Sequence, residues 1–407
     1  MVAEFNILIR NTLMIEFIAG FGNEKLNKRE DLFNAKNLLG DDTQRILLPF
    51  LRSTEQLILN VVKKYDSFGD VKIFPALDLG IPNNKVRLAG GFATGMMFLW
   101  ECKRKLAFVD TTMNVCSSSY YELNEIEDIK EFFNIDKIDS ILQEAKQRNY
   151  LFDLTSGNHF LMLCKSEHKG KYFLVMHFSD MGAKNIVDGL YPSENIWYSK
   201  KLKTYVAENG RYIRYLIDDD AEKFYEKVKM LKNRNELMHN WLANEFCKNK
   251  IISGHIYHHY GMPKDNIAII GTYLSKKDDI VPIFTNTGYP IYLFKPMPQM
   301  WHILLNKEEF YLIPHGWGQE VANLNASTYL PYFEVHKNFL RLVNEEQYYD
   351  FKLDDSLHFP DKFSEIRKLN CYNYFERYKN YLNGQLVDTL EQKAVYCKKY
   401  YKVKYYE

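Results

Sequence analysis

The sequence predicts an α+β fold, with mixed and antiparallel sheets at the centre and helices on their flanks. Three observations lead there. Runs rich in aromatic and β-branched residues, bounded by turn residues, recur at Asn158–Cys164, Tyr172–Phe178, Ile267–Leu274, Ile291–Lys295 and Phe310–Ile313. Between them lie stretches with apolar residues at steps of three, four or seven, the helical signature. No Pro/Gly/Ser-rich linker, low-complexity stretch or solenoid period divides the 407 residues, so one compact unit over 1–407 is expected.

Met1 to Phe21 is apolar in places, but Glu4, Arg10 and Glu16 interrupt it, and no basic start with an unbroken apolar run appears. No uncharged apolar stretch approaches the roughly 20 residues that cross a bilayer. A cytoplasmic protein with no membrane role is therefore expected. With 53 Lys+Arg against 52 Asp+Glu, overall charge neither requires nor excludes a nucleic acid, and any such contact must come from local clustering. The six cysteines, Cys102, Cys116, Cys164, Cys247, Cys371 and Cys397, are scattered without close pairs, which argues against a disulfide framework or a zinc ribbon and for free thiols.

Glu122 to Gln147 reads as a surface helix pair. The segment Leu151–Asp180 follows, two apolar strands joined by a polar turn around Glu167, His168 and Lys169 and ending in Gly170, a hairpin signal. A turn centred on His168 sets His159 opposite His177, so that two imidazoles share one face with Leu161, Leu163, Phe173 and Val175. Phe160, Met162, Leu174 and Met176 line the other, and both faces read as buried. Facing buried histidines favour a metal site.

The clearest helix starts at Asp219, with Asp219 and Glu222 at capping-box spacing. Phe224, Val228, Leu231, Met238, Leu242 and Phe246 form its stripe, ending near Cys247. Asn235 falls on that stripe, so it is either hydrogen-bonded in the core or faces a site. Further chemistry-bearing features are Asn114-Val115-Cys116, Asn233-Arg234, the cluster His255-Ile256-Tyr257-His258-His259, and Pro314-His315-Gly316-Trp317-Gly318.

None of these identifies a function alone, but their order resembles that of the RtcB family of RNA ligases. Cys116, then Gly157-Asn158-His159-Phe160, His177, Asn233-Arg234, His255 and His315-Gly316-Trp317-Gly318 match its succession of motifs, and Phe74-Pro75-Ala76-Leu77-Asp78-Leu79-Gly80-Ile81-Pro82 is similar to its segment before the metal-binding cysteine. The resemblance spans roughly residues 70–405 and implies a single RtcB-like domain.

It further implies that Cys116, His159, His177 and His255 bind one or two manganese ions and that His315 takes GMP from GTP. Asn158, Gly316, Gly318 and Lys404 would belong to the nucleotide site. The implied partner is RNA with a 3'-phosphate or 2',3'-cyclic phosphate end and a 5'-hydroxyl end. Thiolate and neutral imidazoles can hold divalent ions that clamp phosphates during in-line transfer, and a neutral imidazole can attack phosphorus.

The sequence also departs from the family. Met113 stands where an acidic metal ligand is expected, with Asp110 the nearest upstream carboxylate; Met162 replaces a guanine-contacting carboxylate, and Gln319 an arginine. The loop Pro282-Ile283-Phe284-Thr285-Asn286-Thr287-Gly288 carries a bulky residue where glycine would let a nucleotide approach. Metal-type ligands are kept while nucleotide contacts are eroded. Two other expectations therefore stand beside the ligase: a phosphoesterase, and a non-catalytic protein that binds RNA ends through a structural Cys/His cluster.

Overall fold

The structure, a computed structural model, describes residues 15–18, 42–80, 87, 90–111, 115–154, 159–187, 196–208, 210–285, 288–298, 300, 302–305, 307–316, 332–335, 339–344, 347–352, 384–397 and 402–406. These form an α+β architecture of antiparallel sheets with helices packed against them. No helix among the described residues is long and apolar enough to cross a membrane.

An eight-stranded sheet carries the site. Its order is Ile251–His258, Ser117–Leu123, Tyr172–Phe178, Phe160–Ser166, Gln385–Cys397, Ile291–Lys295, Val281–Ile283, and Lys402–Tyr405 also pairs with Gln385–Cys397. A four-stranded sheet, Tyr260–Lys264, Ile267–Ile270, Thr94–Glu101 and Asp70–Gly80, follows directly after the Ile251–His258 edge. The expected Ile267–Leu274 run is two strands, Ile267–Ile270 and Thr272–Ser275, because Gly271 at φ +68° breaks it and the second strand joins another sheet beside Glu308–Pro314.

Both faces of the hairpin strands in the middle of the eight-stranded sheet are buried, as apolar strands require. Leu161, Leu163, Leu174 and Met176 pack on one side with Met238, Leu242 and Phe246 of the long helix. Phe160, Met162, Phe173 and Val175 cluster on the other with Phe284. Burial of each large side chain contributes roughly 1.5–3 kcal/mol.

The hairpin register differs from expectation by one residue. Phe160, not His159, faces His177, and Cys164 faces Phe173. The turn is closed by Ser166 and Lys171, whose N–H···O bond is 2.8 Å, and Gly170 takes φ +66°. An even number of turn residues, 167–170, cannot centre on one residue, so the sum of paired positions is odd. The shift puts Leu161 and Leu163 on the face opposite His177. His159 lies just before the strand, where it is not bound by the alternation.

The long helix spans Asp219–Cys247 and is the expected one. Its start is not a capping box: Asp218 occupies the cap without a side-chain cap bond, and Asp218 and Glu222 instead pair with Arg104 and Lys105. Three carboxylates in its first turn still favour the positive end of the helix dipole. Phe224, Val228 and Leu231 enter one core and Met238, Leu242 and Phe246 another, with Asn235 where the helix passes between them. The helix pair expected over 122–147 is Ile129–Phe132 and Ile135–Gln147, capped by Asp128 and Asn134.

Candidate metal centre

Sheet pairing brings four segments together. In the strand pair Ile251–His258 and Ser117–Leu123, His255 faces Tyr120 and His258 faces Ser117, so His259 is level with Cys116 and its N–H donates to Cys116 O at 3.2 Å. Ser118 faces His177 on the other flank. Cys116 Sγ lies 3.3 Å from His159 Nε2 and 3.4 Å from His177 Nε2, and His177 Nε2 lies 2.9 Å from His259 Nε2. All four side chains are buried, and Cys116, His159 and His177 are grouped closely enough to hold one metal ion.

His255 is not in this group. It is exposed and stacks on Tyr120 at 5.0 Å between ring centroids. At about 3.3 Å per residue, the four positions between His255 and His259 put it roughly 13 Å along the strand from the level of Cys116. His259 is the member of the His-rich cluster that reaches the centre. Alternation alone could not select it, because 255, 257 and 259 share one face, and only the pairing with Ser117–Leu123 fixes which is level with Cys116.

His315 ends the strand Glu308–Pro314 and is buried, its ring stacked on His259 at 4.9 Å and 17°, with His177 at 6.3 Å. Gly316 follows at φ +104°, and its Cα approaches Phe284 so closely that a Cβ there would fall 2.1 Å from Phe284 O. Phe284 N donates to His315 O at 2.8 Å, and the Phe284 ring stacks on His177 at 5.1 Å. Gly316 thus admits the Phe284 backbone, and the bulk of Phe284 packs on a member of the cluster. Asn158, Gly318, Trp317 and Met113 lie outside the described residues. Lys404 is exposed on Lys402–Tyr405, its amine over the Tyr406 ring at 4.7 Å. Met162 is buried in the sheet.

His159 is oriented with Nε2 inward. Its Nδ1 is 2.6 Å from Asp153 O, a carbonyl that only accepts, so Nδ1 carries a proton and Nε2 faces Cys116. Tyr273 O–H lies 2.9 Å from Pro282 O and 2.8 Å from Ser118 Oγ, which accepts from it. Ser118 Oγ also lies 3.3 Å from His259 Nδ1, and His259 Nε2 lies 2.9 Å from His177 Nε2.

Without an ion the electrostatics favour an imidazolium at His159, and a bound cation would take the place of its Nε2 proton. Burial opposes protonation of His159, but the charge on Cys116 and the bonds to Asp153 and Cys116 outweigh it and raise its pKa to about 10. A positive charge is thus favoured where an ion would sit. His259 is held well below its ordinary value, first by burial and then by His177 and His315.

The backbone into Cys116 is strained. Val115 has φ +53°, a region that β-branched residues avoid. Asn235 Nδ2 donates to Val115 O at 2.8 Å and to Ser117 Oγ at 2.6 Å. Its polar place on the helix stripe is therefore a structural tie to the ligand-bearing segment. Arg234 reaches elsewhere, its Nε 2.6 Å from Asp180 Oδ2, and Asn233 is exposed.

Ser117 and Glu236 were not singled out in the sequence, and His258 was noted only as part of the His-rich cluster. Ser117 Oγ lies 2.8 Å from His258 Nδ1, and His258 Nε2 lies 2.8 Å from Glu236 Oε1. This resembles a nucleophile–base–acid chain, but Ser117 is buried and accepts from Asn235, which ties it to the segment that carries Cys116. Glu236 and His258 instead wall a cleft of about 280 Å³ shared with Tyr257, Tyr273 and Lys276.

No protein-family model, curated protein or solved structure matches the chain.

Proposed function

We propose that the protein is a metal-assisted RNA ligase of the RtcB kind, joining a 3'-phosphate or 2',3'-cyclic phosphate end to a 5'-hydroxyl through a nucleotide carried on His315. The observation that carries this reading is the parallel stacking of His315 on His259 beside the Cys116, His159 and His177 donors. A histidine not needed to complete the donor set lies against it.

Cys116, His159, His177 and His259 would hold the divalent ion. When bound, it would supply charge neutralisation for the phosphoryl group. His315 would attack the α-phosphorus of GTP through a neutral ring nitrogen, forming an N–P bond as the bond to pyrophosphate breaks. The RNA 3'-phosphate would then take the nucleotide and free the imidazole. Attack by the 5'-hydroxyl forms the new phosphodiester and releases GMP. Asn158, Gly318 and Lys404 belong to this proposal on the resemblance alone.

The test is covalent labelling of the metal-loaded protein with each α-labelled ribonucleotide, all four because Met162 and Gln319 replace expected nucleotide contacts. An acid-labile, alkali-stable adduct that His315→Ala abolishes supports the ligase. A second reading, a non-catalytic protein that binds RNA ends, is favoured by Phe284 packing on His177 where a nucleotide would need room. RNA binding without an adduct from any nucleotide would establish it.

A further inference from the structure

We infer that the centre selects a borderline ion of the zinc class over manganese and magnesium, held by the thiolate of Cys116 and the imidazoles of His159, His177 and His259. The inference rests on the metal-centre part of the reading above and not on ligation. It disagrees with the manganese that the family resemblance implies, and the reason is the donor set.

Manganese and magnesium favour carboxylate, carbonyl and water oxygen, whereas thiolate and imidazole suit zinc and its neighbours. The sequence from Thr111 to Tyr121, around Cys116, contains no Asp or Glu. Asp110, immediately upstream, is fully buried and taken up by Arg214: its Oδ1 is 2.7 Å from Arg214 Nε and its Oδ2 2.7 Å from Arg214 N. Asp153 stands behind the His159 ring, its Oδ2 3.4 Å from Nδ1, the nitrogen turned away from Cys116. Asp110 is thus bound to a cation and Asp153 backs a ligand from outside, the two carboxylates beside these ligands among the described side chains.

The spacing suits such an ion. Bonds of about 2.3 Å to sulfur and about 2.0–2.1 Å to nitrogen, in a tetrahedron, put sulfur and nitrogen donors roughly 3.5 Å apart and two nitrogens roughly 3.3 Å apart. Here Cys116 Sγ stands 3.3 and 3.4 Å from the Nε2 atoms of His159 and His177, and these three donors are mutually close; His259 Nε2 lies 2.9 Å from His177 Nε2 outside that close group and would be the fourth donor on closing toward Cys116. The contacts at Nδ1, of His159 with Asp153 O and of His259 with Ser118 Oγ, are the outer support that imidazole ligands to zinc commonly have.

The experiment is direct titration of the full chain, stripped with chelator, with Zn(II), Co(II), Mn(II) and Mg(II). Cobalt should give the intense visible bands of a tetrahedral site and a near-ultraviolet sulfur charge-transfer band, and zinc should displace it at one ion per chain. Manganese should bind at least about 100-fold more weakly than zinc. Cys116→Asp, a hard donor in place of the thiolate, should narrow that gap by about tenfold and remove the charge-transfer band. Manganese binding as tightly as zinc, or displacing cobalt, overturns the selectivity and leaves the metal centre standing. If none of the ions binds, the metal-centre reading falls with it. The competition in the unsubstituted chain carries the test even where Cys116→Asp does not fold.

Discussion

Asn235 Nδ2 donates to the Val115 carbonyl at 2.8 Å across 120 positions of sequence, and so ties the middle of the long helix to the strained residue before Cys116. Its second bond, to Ser117 Oγ, grips the far side of the cysteine. Asn235→Ala should cost about 1–3 kcal/mol, since it removes two buried hydrogen bonds and leaves the Val115 carbonyl with only the longer bond from Ser117 Oγ. It should also weaken metal binding about 10–100-fold, as loss of an outer support commonly does. Urea unfolding and zinc titration of the same sample check both, and unchanged affinity would show that Val115 keeps its conformation unaided.

His259→Ala should weaken zinc binding beyond the ~10–100-fold that loss of an outer partner costs, because it removes a ligand. His255→Ala should leave affinity and the cobalt spectrum unchanged, since that ring is exposed and stacks on Tyr120. Equal effects of the two substitutions would contradict this assignment.

Gly316→Ala should destabilise the protein by more than about 1 kcal/mol, through a Cβ driven into the Phe284 backbone and a positive φ that alanine disfavours. The clash should push His315 off His259, so any nucleotide adduct should fall with metal binding largely kept. Gly316→Ala with unaltered stability and labelling would show that the turn relaxes without moving His315.

His239 is fully buried, stacked on Phe178 at 3.8 Å, and held well below its ordinary pKa by burial first and His258 next. A histidine with a lowered folded pKa stays neutral while the unfolded chain takes up a proton. Stability should therefore be flat in this group above about pH 6.5 and fall as pH drops below it, by up to about 1.4 kcal/mol per pH unit. His258 and His259 shift the same way. His239→Leu should shallow the slope between about pH 6.5 and 5, measured by urea unfolding. An unchanged slope would mean that His239 is protonated in the folded protein.

Asp110→Ala should cost about 3–5 kcal/mol, because Arg214 would keep its charge where the carboxylate had balanced it. Zinc affinity should be unchanged in the fraction that folds, which separates a structural ion pair from a ligand.

The alternation of strand residues and the stripe from Phe224 to Phe246 were legible because burial on a strand or helix face imposes a local period. The turn 167–170 escaped by one position: polar composition marks a turn but does not count its residues, and the register follows the count. Asn235 was visible as an anomaly on an apolar stripe, while its partners, Val115 and Ser117, lie far away in sequence. His258 was visible in the His-rich cluster, but Glu236 gave no signal, since nothing local sets the glutamate opposite the histidine.

The sequence by itself determined the α+β class, the buried hairpin, the long helix and the residue types of the centre, because these depend on local periodicity and on side-chain chemistry. Only the tertiary structure decided which histidine of the His-rich cluster joins Cys116, which carboxylates are spent on Arg214 and on backing His159, and that His315 stacks on His259. Those outcomes depend on strand register and on distances between segments far apart in the chain, and a shift of one residue in pairing exchanges one set of side chains for another while the composition stays the same.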